Sequence, residues 1–158
     1  MKCTPLLCAG RSVGAFVLAA ALGMIFAPSS PTLAEIEPKY YREWQAKAPE
    51  VLQIRVDEVH PVVTSERLLT GDDMLIRTHV DAEATVEAVK RSASGLRPGD
   101  KIHIRYVSTR AEPPMPGPRP IPVLKPGKSY PAFLLGVSKG LYAPAAKGAS
   151  FEPLIEVQ

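Results

Sequence analysis

The sequence predicts an exported, mainly β domain with one short N-terminal helix and a proline-rich loop. Three observations predict it. Apolar and polar residues alternate with period two in several separate runs, the signature of half-buried strands. Gly/Pro/Asp clusters punctuate those runs as turns do. A leader-like segment precedes them, with Lys2 and Arg11 ahead of an uncharged apolar run over residues 13–27 and a small-residue ending Thr32-Leu33-Ala34.

That leader pattern places cleavage after Ala34. The apolar run is shorter than the roughly 20 residues a membrane span needs, and the alternative to cleavage is an uncleaved N-terminal anchor. Cys8 lies before the run, where a lipidated cysteine would have to follow it. Both cysteines, Cys3 and Cys8, leave with the leader. The expected mature chain, residues 35–158, therefore has no disulfide, no thiolate nucleophile and no Cys-ligated metal. The formal net charge falls from +3 to +1 once Lys2 and Arg11 are removed. No block of like charge is left to mark a nucleic-acid surface or a membrane-binding helix.

Residues 35–49 read as the helix. Pro38 suits its first turn, Tyr40, Tyr41, Trp44 and Ala48 share a face, and Pro49 stops it. Tyr41 and Trp44 either pack this helix onto the domain or form an aromatic face for a partner. Residues 51–59 come next as a strand, with Leu52, Ile54 and Val56 alternating with Gln53, Arg55 and Asp57. Pro61 ends that strand or marks a sheet edge. A polar connection over residues 64–73 contains the turn signal Gly71-Asp72-Asp73.

Residues 74–90 fit two patterns. Val80, Ala82, Ala84, Val86 and Ala88 alternate as a strand does, yet Ala and Glu favour helix and Ala82, Val86 and Val89 fit a helical face. The turn over residues 94–100 and the strand over 101–107, with Ile102, Ile104 and Tyr106 on one side, favour a hairpin and hence a strand.

Residues 113–133 hold eight prolines. Proline lacks an N–H and fixes φ, so residues 113–122 favour polyproline II and stay out of a sheet interior. Residues 127–158 are too few to fold alone, and after a turn at Gly127-Lys128 they begin with a core-like strand over residues 130–137. The prolines are thus expected to be a loop inside one domain spanning residues 50–158, not a linker. A short strand over residues 140–143 and a small-residue coil over 144–150 complete the domain. The tail over residues 152–158 is expected to fray, with Leu154 and Ile155 able to pack.

The strand order, the Gly95…Pro98-Gly99-Asp100 turn and the phrase Gly127-x-x-Tyr130-x-x-Phe133-Leu134 resemble a small five-stranded barrel of the OB type. More narrowly, residues 50–143 resemble netrin-like domains, whose fold is shared with tissue inhibitors of metalloproteinases. The resemblance implies that fold. Those inhibitors chelate zinc with an N-terminal cysteine, and the expected mature chain has none, so their mechanism does not transfer.

Enzyme chemistry finds little footing. His60, His79 and His103 have no metal-ligand spacing, and strand phase turns His103 to solvent. Ser92, Ser94, Ser129, Ser138 and Ser150 occur in turns or at strand ends without a nucleophile-elbow motif. The acid pairs Asp57-Glu58 and Asp72-Asp73 read as solvated. No phosphate-binding glycine loop occurs. No catalytic residue, metal or cofactor is assigned.

Two binding features remain. One is the proline segment with Arg110, Arg119 and Lys125 beside it, since polyproline II loses little entropy on binding. The other is the barrel face near His103, Arg105 and Tyr106, although Tyr106 shares the phase of the core residues. The expected function is a non-catalytic binding or protein-interaction module. Its expected contact residues are Tyr41, Trp44, Pro116, Arg119 and Pro120, with an envelope or extracellular protein as partner. The alternative is a small exported hydrolase or a carbohydrate-binding accessory factor.

Overall fold

The computed structural model describes residues 36–67, 73–115 and 117–155. The expected leader, the Gly71-Asp72 part of the expected turn and Pro116 lie outside them. Helix α1 covers Pro38–Lys47. Five strands come after it: β1 Glu50–Arg67, β2 Met74–Ser92, β3 Lys101–Glu112, β4 Ser129–Ser138 and β5 Leu141–Pro144. A 3-10 turn, η1, spans Lys147–Ala149.

The strands close into a barrel in the order β1-β2-β3-β5-β4, with β4 returning to β1. β3 and β5 run parallel and the other neighbours antiparallel. This is the small OB-like barrel that the sequence predicts.

Alternation builds its interior. Leu52, Ile54 and Val56 of β1, Val80, Ala82, Ala84 and Val86 of β2, and Ile102, Ile104 and Tyr106 of β3 all point inward and are buried. Each fully buried Ile, Leu or Val contributes about 1.5–3 kcal/mol. The same burial settles the ambiguous run as strand. A helix would spread Val80, Ala82, Ala84 and Val86 around its axis, whereas β2 puts all four in the core. The two alanines leave room for larger side chains across a narrow barrel.

Two boundaries differ from expectation. β1 does not end at Val59 but runs through Pro61 to Arg67, paired with β2 down to Met74. β3 continues past Val107 to Glu112. Residues 64–67 of the expected polar connection are therefore strand. Pro61 is tolerated because its missing donor faces an open edge and costs no ladder bond.

The proline segment lies between β3 and β4 and helps close one end of the barrel. Leu124 is buried in the core and Ile121 packs against it. The segment has few N–H groups, so its carbonyls do the bonding. Tyr106 Oη donates to Pro122 O (2.7 Å) and Ser108 Oγ donates to Ile121 O (2.6 Å). Leu124 N–H donates back to Tyr106 Oη (3.2 Å). Phe151, from beyond the last strand, joins this layer beside Tyr106 and Tyr130.

The tail is not frayed over its described part. Gln45 of α1 is fully buried. Its Nε2 donates to Ala149 O (2.9 Å), Pro153 O (3.2 Å) and Glu152 O (3.3 Å), and its Oε1 accepts Ile155 N–H (3.0 Å). One amide side chain thus holds residues 149–155 against the helix. Leu154 stays half exposed and Ile155 is anchored through its backbone.

Candidate interaction surface

The helix and the proline segment, two separate features in the sequence, meet in the fold. Tyr41 is fully buried, and its hydroxyl accepts Arg119 N–H at 3.1 Å. The Tyr41 and Trp44 rings meet edge to face at 5.5 Å. The Arg119 guanidinium lies 5.4 Å from the Tyr41 ring centroid and pairs with Glu152 at 2.8 Å. Lys147 lies over Trp44 at 4.8 Å. Tyr41 and Arg119 thereby act as a latch between α1, the proline segment and the tail. Trp44 is partly buried under Lys147, and Pro120 is exposed. Pro116 lies outside the described residues.

Next to this latch the segment turns around the free edge of β3. Pro114, Met115, Gly117, Pro118 and Pro120 line a hollow of about 490 Å³ with Leu75, Thr109, Arg110 and Ala111. Farther along, Ile121 and Pro122 bond to the inward-pointing Ser108 and Tyr106. Met115 is 52% exposed over the hollow. Its walls are mainly apolar, and Arg110 supplies a cation at the rim.

A second concavity, about 800 Å³, lies between α1, the outer faces of β1, β2 and β4, and the tail. Val51, Ala88, Phe133 and Leu154 give it apolar walls, and Lys90 and Gln53 a polar rim. Arg91 also borders it but spends its guanidinium on Ala46 O (2.7 Å) and Ala48 O (2.5 Å) at the end of α1.

The outer face of β1-β2-β3 is charged and largely self-paired. Arg105 meets Asp81 through two nitrogens, at 2.6 and 3.0 Å. Arg77 meets Glu66 at 2.8 Å, His60 meets Glu58 at 3.4 Å and His103 meets Glu83 at 3.9 Å. Exposed pairs of this kind contribute little to stability. They do leave this face without a concentrated field of one sign. The three histidines share the face, yet no group of metal-ligating side chains forms among the described residues.

Four of the serines singled out in the sequence have structural partners. Ser92 Oγ accepts Leu96 N–H, Ser94 Oγ meets Tyr142 Oη, Ser129 Oγ donates to Glu87, and Ser150 Oγ accepts Ala146 N–H. None of these bonds goes to a histidine. Asp57 accepts Thr85 Oγ1 at 2.6 Å. Burial pushes the Tyr106 phenol up to about 12, opposed by the Leu124 N–H and reinforced by Tyr130. This tyrosine is a neutral strut of the barrel end.

Sequence reasoning missed Gln45 and Glu50. Glu50 is buried at the start of β1, where its Oε1 accepts Ser94 N–H (2.9 Å), and its Oε2 has no hydrogen-bond partner among the described residues. A polar residue on a helix or at a strand start carries no local sign of burial, so no sequence signal marked either one.

No helix among the described residues is long and apolar enough to cross a membrane. No protein-family model, curated protein or solved structure matches the chain, so its function is read from its own surface.

Proposed function

We propose that the protein is an exported, non-catalytic interaction module, and that its contact surface is the hollow between the proline segment and the adjoining ends of β2 and β3. The observation that carries this reading is the division of labour within the segment. Arg119, Ile121, Pro122 and Leu124 are tied to the fold, while Pro114, Met115, Pro118 and Pro120 line an exposed, mainly apolar hollow. A stiff segment held at one end presents its free face at low entropic cost. Exposed apolar surface rimmed by polar groups is what a partner buries.

The partner is an envelope or extracellular protein, because the leader pattern directs the chain out of the cytoplasm. Kinship with netrin-like domains belongs to the same proposal, and the order β1-β2-β3-β5-β4 supports it. The metalloproteinase-inhibitor mechanism does not belong to it.

The test is crosslinking capture in cells, comparing wild type with a chain carrying Pro114→Ser, Met115→Ser, Pro118→Ser and Pro120→Ser. These changes spare Arg119 and residues 121–124, so the barrel keeps its plug. A protein captured by wild type and lost from the variant supports the proposal. Equal capture by both chains, or no specific capture by either, overturns it.

A further inference from the structure

Beyond the barrel, β1 presents a long edge. Val56 directs its backbone away from β2, donating to Lys128 O (2.9 Å) and accepting Gly127 N–H (2.7 Å). The register slip between Val56 and Glu58 carries that phase to Val59, Pro61, Val63, Ser65 and Arg67. Pro61 fits this phase, because a residue without N–H belongs where the ladder needs no donor. On this side no described strand pairs with β1 beyond Arg55. Val62 and Val63 are 61% and 64% exposed. β3 differs, since the proline segment bends around its free edge. An exposed, apolar strand edge is a template for another strand.

We propose that this edge pairs antiparallel with the same edge of a second copy, with the two-fold axis at Val63. The surface is separate from the hollow at β3, so either proposal can fail alone. Symmetry limits the choices, because outward-directed backbone groups must meet outward-directed ones. A centre at Pro61 sets two residues without N–H against each other and loses both central bonds. A centre at Val62 sets Glu58 against Glu66, and like charges directly opposite are destabilising. A centre nearer the tip shortens the ladder.

The Val63 centre avoids all three faults. Val63 exchanges both bonds with its own copy, and the two exposed valines cover each other. Pro61 lies opposite Ser65, so only one bond per proline is forgone. On the outer face His60 lies opposite Glu66, so this register sets no two like charges directly opposite each other. The strand is thus better matched to its own copy than to an arbitrary segment.

The test uses the full chain with Cys3→Ser and Cys8→Ser, so that one introduced cysteine is the sole thiol. Paired residues that exchange bonds lie about 5.5 Å apart at Cα, within disulfide range. Val63→Cys should give a disulfide-linked dimer under mild oxidation, at least about tenfold more than Thr109→Cys on β3. Sedimentation of the chain with valine at 63 should show a dimer. Val63→Lys, a change at an exposed site, should weaken that dimer at least about tenfold, or about 1.4 kcal/mol. A monomer by sedimentation overturns the proposal. So does equal crosslinking from Thr109→Cys, or a dimer that Val63→Lys leaves intact.

Discussion

The hydroxyl of Tyr41 accepts the backbone N–H of Arg119 at 3.1 Å, joining α1 to the proline segment. The segment has few donors of its own, and this one is directed into the fold. Tyr41→Phe keeps the ring packing and removes the acceptor. The expected cost is about 1 kcal/mol. Thermal denaturation measures the loss, and amide exchange at Arg119 should accelerate while the barrel strands stay protected. Unchanged exchange at Arg119 would show that this bond does not hold the segment.

Gly148 permits the same docking from the other side. A Cβ at 148 would stand 2.8 Å from Arg119 Cβ, with the Arg119 carbonyl closer still. Backbone cannot swing away as a long side chain can. Gly148→Ala should destabilise by about 1–3 kcal/mol. Gly136→Ala is the control, because its Cβ would meet Tyr142 at an ordinary 3.9 Å. That change should stay within about 0.5 kcal/mol. Equal melting temperatures for the two variants would exclude the close approach.

Gln45 serves three carbonyls and one N–H of the tail. Gln45→Leu has similar bulk but removes every one of those bonds. The buried groups left behind cost about 1–3 kcal/mol each where water cannot replace the partner. Hydrogen exchange and limited proteolysis should show residues 149–155 opening while β1 to β3 remain protected. A tail that stays protected would mean that Phe151 packing and the Arg119–Glu152 pair hold it without this amide.

Tyr106 sets an alkaline limit. A free tyrosine titrates near 10, and burial raises this one to about 12. Between those values the unfolded chain releases the proton and the folded chain keeps it. The stability associated with this group is therefore fully present below about pH 10 and declines as pH rises toward 12. Absorbance titration should show one phenol ionising late, and denaturant midpoints should fall over that window. Tyr106→Phe should remove this component of the decline while costing baseline stability through the lost Pro122 and Leu124 bonds. A decline of the same size in that variant would assign it elsewhere.

Much of the barrel was legible along the chain. Leu52, Ile54 and Val56, and Ile102, Ile104 and Tyr106, announce strands because a period of two survives without any partner. Gly127 takes a positive φ, and Gly127-Lys128 marks the turn into β4. Residues 80–90 were less clear, since alanine and glutamate suit a helix locally. Only a closed barrel gives Val80, Ala82, Ala84 and Val86 one shared interior. Pro61 reads locally as an end of β1 or an edge, because nothing nearby shows that its donor side faces open space.

What the sequence alone determined was the class: alternating strands, one short helix, and prolines that could not enter a sheet interior. These arise from local backbone chemistry and hydrophobic period. Tertiary structure decided which distant groups meet. It brought Gln45 to Ala149 across 104 positions and Tyr41 to Arg119 across 78. It buried one part of the proline segment and left another part on the surface. Such contacts depend on closure of the whole barrel, and a property of closure has no signature in any short stretch of chain.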